Sequence, residues 1–154
     1  MTESTGRALQ TALAYYEAWT THDFDRAMTF IANDIVCHAP AGRLDGAHAF
    51  RGFMEPFTQI VTRSALIAAF GDDNTAVLMY DTDTVPVPNA PGAEHLSISD
   101  GTITQIRIIF DRAPFAAAPL ASPNRSSTST PPRDRVGRRT TLPCNRRLVP
   151  PSTA

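Results

Sequence analysis

The side chains able to move protons in this chain are spread along it, and each also has an ordinary structural role open to it. Tyr15 and Trp19 stand four apart in an apolar stripe, so a helix would aim a hydroxyl and an indole N–H at one cavity, a pair suited to an apolar ligand with one polar handle. Core packing is the competing role for both. His38 could shuttle protons near neutrality, where an imidazole titrates, yet strand alternation sends it to the face opposite Cys37 and Ala39. Glu94 travels with Leu96 and Ile98 on the apolar side of its segment, whereas His95 points the other way. Asp81 and Asp83 share a face with Val77 and Met79; two such carboxylates can divide acid and base roles, and exposed strand ends carry them as well. Arg107, between Ile106 and Ile108, would be costly to bury without a partner such as Glu94 or Asp111. The catalytic candidates are therefore Tyr15 as hydrogen-bond donor and Glu94 or His38 as base. The pocket candidates are Trp19, Phe53, Phe57, Asp81 and Arg107.

Several other chemistries lack their residues. There is no GxSxG elbow, no HExxH pair and no glycine-rich phosphate loop. Cys37 and Cys144 belong to no CxxC or Cys/His ligand spacing, so no metal site, disulfide scaffold or cofactor is expected.

The elements that would position these side chains follow from periodicity. Leu9, Leu13 and Tyr16, flanked by Ala12, Tyr15 and Trp19, predict a first helix over about 5–20. Asp23 is placed to cap a short second helix burying Phe24, Ala27, Met28 and Ile31. Asp34–His38 reads as a short strand that Pro40 and Gly42 break, and Asp45 as the cap of a third helix with Phe50, Phe53, Met54, Phe57 and Val61 on one face. Pro56 inside that pattern predicts a kink or an early end near Glu55. The period then becomes extended: Ser64–Phe70, Thr75–Val85, Ala93–Ser99 and Thr102–Phe110 read as strands joined by turn-forming residues. The order ααβαββββ predicts an α+β domain, three helices on one face of a curved, mostly antiparallel sheet.

Composition bounds the rest. The 154 residues carry a formal net charge of -1, which is a cancellation. Residues 1–113 hold 7 Arg and 14 acids, whereas residues 114–154 hold 7 Arg and one acid, Asp134. Those last 41 residues also contain 8 of the 13 prolines and 10 Ser or Thr, without hydrophobic period, so residues 1–113 are expected to be the folded domain and 114–154 a disordered tail. An Arg-rich arm touching nucleic acid or acidic lipid is the alternative for that tail; nucleic-acid binding by the whole chain is not expected at this near-neutral balance. No stretch has the roughly 20 apolar residues that span a bilayer, and the polar start resembles no signal peptide, so a cytoplasmic protein without membrane contact is expected.

The element order, together with Tyr15-Tyr16-Glu17-Ala18-Trp19, the run from Asp34 through Pro40 to Gly42, and Asp100-Gly101-Thr102-Ile103, resembles the SnoaL-like branch of the nuclear transport factor 2-like superfamily over roughly residues 7–113. The resemblance implies a cone-shaped fold with a pocket between helices and sheet, commonly as a homodimer, in a group that includes polyketide cyclases, ketosteroid isomerases, limonene epoxide hydrolases and non-catalytic binding modules. Fold alone does not choose among them. Against the ketosteroid isomerase pattern, Tyr15 takes the place of the oxyanion-binding tyrosine, Ala39-Pro40 stands where an Asp-Pro base is required, and the later carboxyl falls near Glu94. Ala39 accepts no proton, which argues against steroid isomerisation by that route. Asp81, Asp83 and Arg107 supply the residue types of the epoxide hydrolases without their spacing. The expected function is a small-molecule pocket for an apolar polyketide-like or terpenoid-like compound, with cofactor-free isomerisation, cyclisation or hydration as the chemistry. A non-catalytic dimerisation or ligand-sensing module is the alternative.

Overall fold

The computed structural model describes residues 6–118. The elements are α1 (Arg7–Thr20), α2 (Phe24–Met28), β1 (Ile31–Ala39), β2 (Gly42–Asp45), α3 (Ala47–Ile60), β3 (Val61–Gly71), β4 (Thr75–Thr84), β5 (Ala90–Ser99), β6 (Thr102–Phe110) and α4 (Ala113–Ala117). The fold is α+β, with one six-stranded sheet in the order β2-β1-β6-β5-β4-β3. Four of the five neighbouring pairs are antiparallel and the β1–β6 pair is parallel, which makes the sheet mixed.

The helices form for the reasons their sequences suggest. Along α1, Ala8, Ala12, Tyr15, Tyr16, Ala18 and Trp19 are buried, and the helix packs on β3 to β6. The Asp23 carboxylate accepts the Arg26 backbone N–H at 3.1 Å, capping α2 as expected. The third helix starts differently. Asp45 ends β2, its carboxylate held by the Arg43 guanidinium at 2.7 Å, and the cap position falls to Gly46, whose φ of +89° is open to glycine. Nor does α3 stop at Glu55: it continues through Pro56 to Ile60, because Phe50 and Met54 before the proline and Thr58 after it are all buried on one face. The proline forgoes a single backbone bond, a loss that this burial offsets.

Two further elements depart from the expected order. Gly42–Asp45 forms β2, zipped to β1 through Cys37–Leu44 and His38–Arg43, where a break was expected. Beyond residue 113 the chain makes α4 and sets Phe115 against Phe110 and Phe57 with ring centroids 5.7 and 6.4 Å apart. Residues 119–154, the greater part of the expected tail, lie outside the described residues.

Register sorts the sheet into two faces. One row on the helix side runs Cys37, Ile106, Leu96, Ala76, and the next runs Ile108, Glu94, Leu78, Ala69. Between them on the opposite face runs the row His38, Arg107, His95, Val77, Phe70. This alternation decides which candidate side chains can meet under the helices.

Candidate ligand-binding and acid-base site

Between α3, the helix-side face of β4 to β6 and α4 lies a cavity of about 400 Å³. Its walls are mostly aromatic and aliphatic: Phe53, Met54 and Phe57 from α3, Tyr80 from β4, Ile108 and Phe110 from β6, Phe115 from α4. The volume exceeds the lower bound of about 300 Å³ for a ligand pocket. The polar groups on this lining are few, and the innermost is Glu94.

Glu94 is fully buried. Its Oε1 accepts the Tyr80 hydroxyl at 3.0 Å, and its Oε2 has no hydrogen-bond partner. The local geometry behind this bond is a diagonal across β4 and β5. Glu94 lies opposite Leu78, while Tyr80 lies opposite Gly92; with no side chain at Gly92, the Tyr80 ring lies over that glycine, where a Cβ would stand 2.7 Å from Tyr80 Cε2. Burial pushes the Glu94 carboxyl up to about 7, against a smaller lowering by the Tyr80 bond. A carboxyl poised there can both take and return a proton at neutral pH.

Two more orphaned polar atoms stand in the same region of the core, the Tyr15 hydroxyl and Trp19 Nε1, both fully buried. The Trp19 ring packs on Tyr80 at 5.4 Å and on Phe57 at 6.2 Å, immediately behind the lining. Burial, and after it the charge of Glu94, raises Tyr15 and Tyr80 well above the usual phenol range, so both remain hydrogen-bond donors across physiological pH. Cys37 is buried nearby, its thiol pushed up to about 12 by burial and by Glu94. A thiol so held is not a nucleophile. Among the described residues no cluster of His, Cys, Asp and Glu could hold a metal ion, and no helix is long and apolar enough to cross a membrane.

The expected site residues separate cleanly. Glu94, Phe53 and Phe57 line the cavity, and Tyr15 and Trp19 back it. His38, Asp81 and Arg107 do not reach it. His38 and Arg107 are register partners on the outer face, and Asp81, which alternates with buried Tyr80 and Thr82, points to that outer face too. The reason is the two-residue period: once Cys37, Ile106 and Tyr80 are inside, their neighbours cannot be. Tyr80, Phe110, Arg112 and Phe115 were not among the candidates. Tyr80 shares a face with Leu78 in the sequence pattern, a usable signal, but its bond to Glu94 spans 14 positions and depends on register. Nothing local marks Arg112 or Phe115, whose position follows from the turn out of β6 into α4.

The family comparison agrees with this geometry. Residues 12–106 match the family model described as SnoaL-like domain. A crystal structure of a protein from Kribbella flavida DSM 17836 is 68% identical, with a TM-score of 0.70 over 71% of this chain and 90% of that one. Two more distant structures share the fold: an NTF2-like protein from Cytophaga hutchinsonii ATCC 33406 (19% identity, TM-score 0.62, 75% of this chain and 99% of that one) and a candidate polyketide cyclase from Xanthomonas campestris pv. campestris (23% identity, TM-score 0.58, 73% and 96%). No curated protein matches the sequence. With the mixed six-stranded sheet, the helices over its inner face and a family match that covers most of the described residues, the chain belongs to the SnoaL-like domain family.

Proposed function

We propose that this domain binds a small, largely apolar organic molecule in the 400 Å³ cavity and transfers a proton on it without a cofactor, as in an isomerisation, cyclisation or hydration. The observation that carries this is Glu94: a fully buried carboxyl on an apolar lining, with one oxygen unpaired and an ionisation near 7. Oε2 removes a proton from the carbon beside a ligand carbonyl, and the same atom delivers it to another position or to the new ring. Tyr80 holds the carboxyl in place through Oε1, and Tyr15 and Trp19 stand behind the lining as buried, unpaired donors. His38 has no part in this chemistry. A polyketide-like or terpenoid-like ring compound suits the aromatic walls, and the likeness to a candidate polyketide cyclase supports that class.

Deuterium exchange tests the reaction. The protein is incubated in heavy water with a panel of bicyclic and tricyclic enolisable ketones. A ketone that protects the protein thermally should gain deuterium beside its carbonyl, and Glu94→Gln should retain binding while losing the exchange. Binding with no Glu94-dependent exchange on any bound ketone would make the domain a ligand sensor, and absence of binding by the whole panel would overturn the pocket itself.

A second copy of the chain is the proposed partner. The outer sheet face carries Phe70, Met79 and Ile109, at 71%, 50% and 61% exposure, a spread of apolar surface uncommon on a monomer. The buried free thiol of Cys37 suits the reducing cytoplasm.

A further inference from the structure

Among the residues that line the cavity, Glu94 and Arg112 are the only acidic and basic side chains, Glu94 fully buried and Arg112 exposed. Glu94 lies opposite Ile108 on β6. Phe110, the next inward-facing residue of that strand, lies about 7 Å farther out by the strand rise, and Arg112 follows beyond the end of β6. The rim there is made by Phe110, Phe115 and the Arg112 guanidinium. Arg112 makes one long hydrogen bond, from Nη1 to the Pro40 carbonyl at 3.4 Å, and no ion pair with a carboxylate of the described residues. Its neighbour Asp111 is occupied as an acceptor from the Ala113 backbone N–H at 2.9 Å. Most other arginines of the domain are committed: Arg43 to Asp45, Arg51 to Asp25 and Glu55, Arg63 to Asp83, Arg26 to Glu17.

Resting on the pocket function above, we propose that Arg112 selects ligands bearing an anionic group: the site takes a flat apolar body between the phenylalanines, its carboxylate or comparably acidic oxygen at Arg112 and its opposite end toward Glu94. Three features of the site converge on this chemistry. The guanidinium is a fork of donors matched to a carboxylate. It stands at the rim rather than in the depth, so an anion there keeps part of its hydration while the body is desolvated among aromatic rings. The inner end offers an unpaired carboxyl oxygen, which would repel a second anion and leaves one orientation for the ligand. A cationic ligand is disfavoured, since it would have to pass Arg112 to reach the aromatic walls.

The test uses the full chain and a matched probe pair, anthracene-2-carboxylate and its methyl ester, followed by fluorescence titration at pH 8 in low and high salt. The wild-type protein should bind the carboxylate on the order of tenfold more tightly than the ester, with the preference shrinking as salt rises. Arg112→Gln should lose the preference while keeping the ester affinity, and Arg112→Lys should restore part of it. Equal affinity of wild type for the two probes overturns the anchor and leaves the pocket standing. An equal loss of both probes in Arg112→Gln also overturns it, because Arg112 would then merely hold the Pro40 turn. If neither probe binds, the pocket and the anchor fall together.

Discussion

Glu94 concentrates the energetic tension of the domain in one side chain. Its carboxyl ionises near 4.5 in an unfolded chain and at about 7 in the fold, raised by burial. Between those values the folded state therefore binds more protons than the unfolded one, so this group's contribution to stability is greatest at low pH, falls as pH rises through the window, and levels off above about 7. The full effect is roughly 3 kcal/mol. Glu94→Gln removes it, and the variant should gain stability on wild type between pH 5 and pH 8 in urea unfolding. Asp45, Asp72 and Asp83, lowered by their hydrogen bonds, slope the opposite way in both proteins and cancel in the comparison. Cys37 supplies a second check at this scale. In a Cys144→Ser chain its buried thiol should stay unlabelled by a disulfide reagent in native buffer and react at once in denaturant.

At the level of elements, the β4–β5 pair decides whether Glu94 is presented correctly. Gly92→Ala would press a methyl into the Tyr80 ring, moving the donor off the carboxylate. We expect a loss of about 1–3 kcal/mol in urea unfolding, together with weakened binding of any cavity ligand. Asp23→Ala removes the α2 cap and should cost about 1 kcal/mol, without touching ligand affinity, since α2 contributes nothing to the lining. The elements not foreseen share a cause. The short β2 exists because β1 offers it a hydrogen-bonding edge, and α4 carries Phe115 onto two rings supplied by other elements. Neither carries a hydrophobic period long enough to announce it.

For the molecule as a whole, the two faces of the sheet present different surfaces. The inner face holds the cavity, and the outer face presents Phe70, Met79 and Ile109 beside the His38–Arg107–His95 row. Pairing of that face with a second copy would be isologous, each apolar patch covering its own equivalent. Sedimentation equilibrium should find a dimer, and a double Phe70→Glu, Met79→Glu variant should run as a monomer with Glu94 and the cavity intact; a monomeric wild type at tens of micromolar would remove the proposal.

Local pattern was enough for the helical stripe of α1, the Asp23 cap and the four long strands, because each is written in a window of a few to a dozen residues, and the order of those elements along the chain carried the family. It also put Glu94 on the apolar side of its strand and set His38 opposite Cys37. What the sequence left open was which polar side chains meet. The Tyr80–Glu94 bond, the exclusion of Asp81 and Arg107 from the cavity, and the arrival of Arg112 and Phe115 at its rim were decided by strand register and by the turn after β6. Those are contacts between segments far apart in the chain, selected by the joint burial of the sheet's inner face, and no short stretch of sequence contains them.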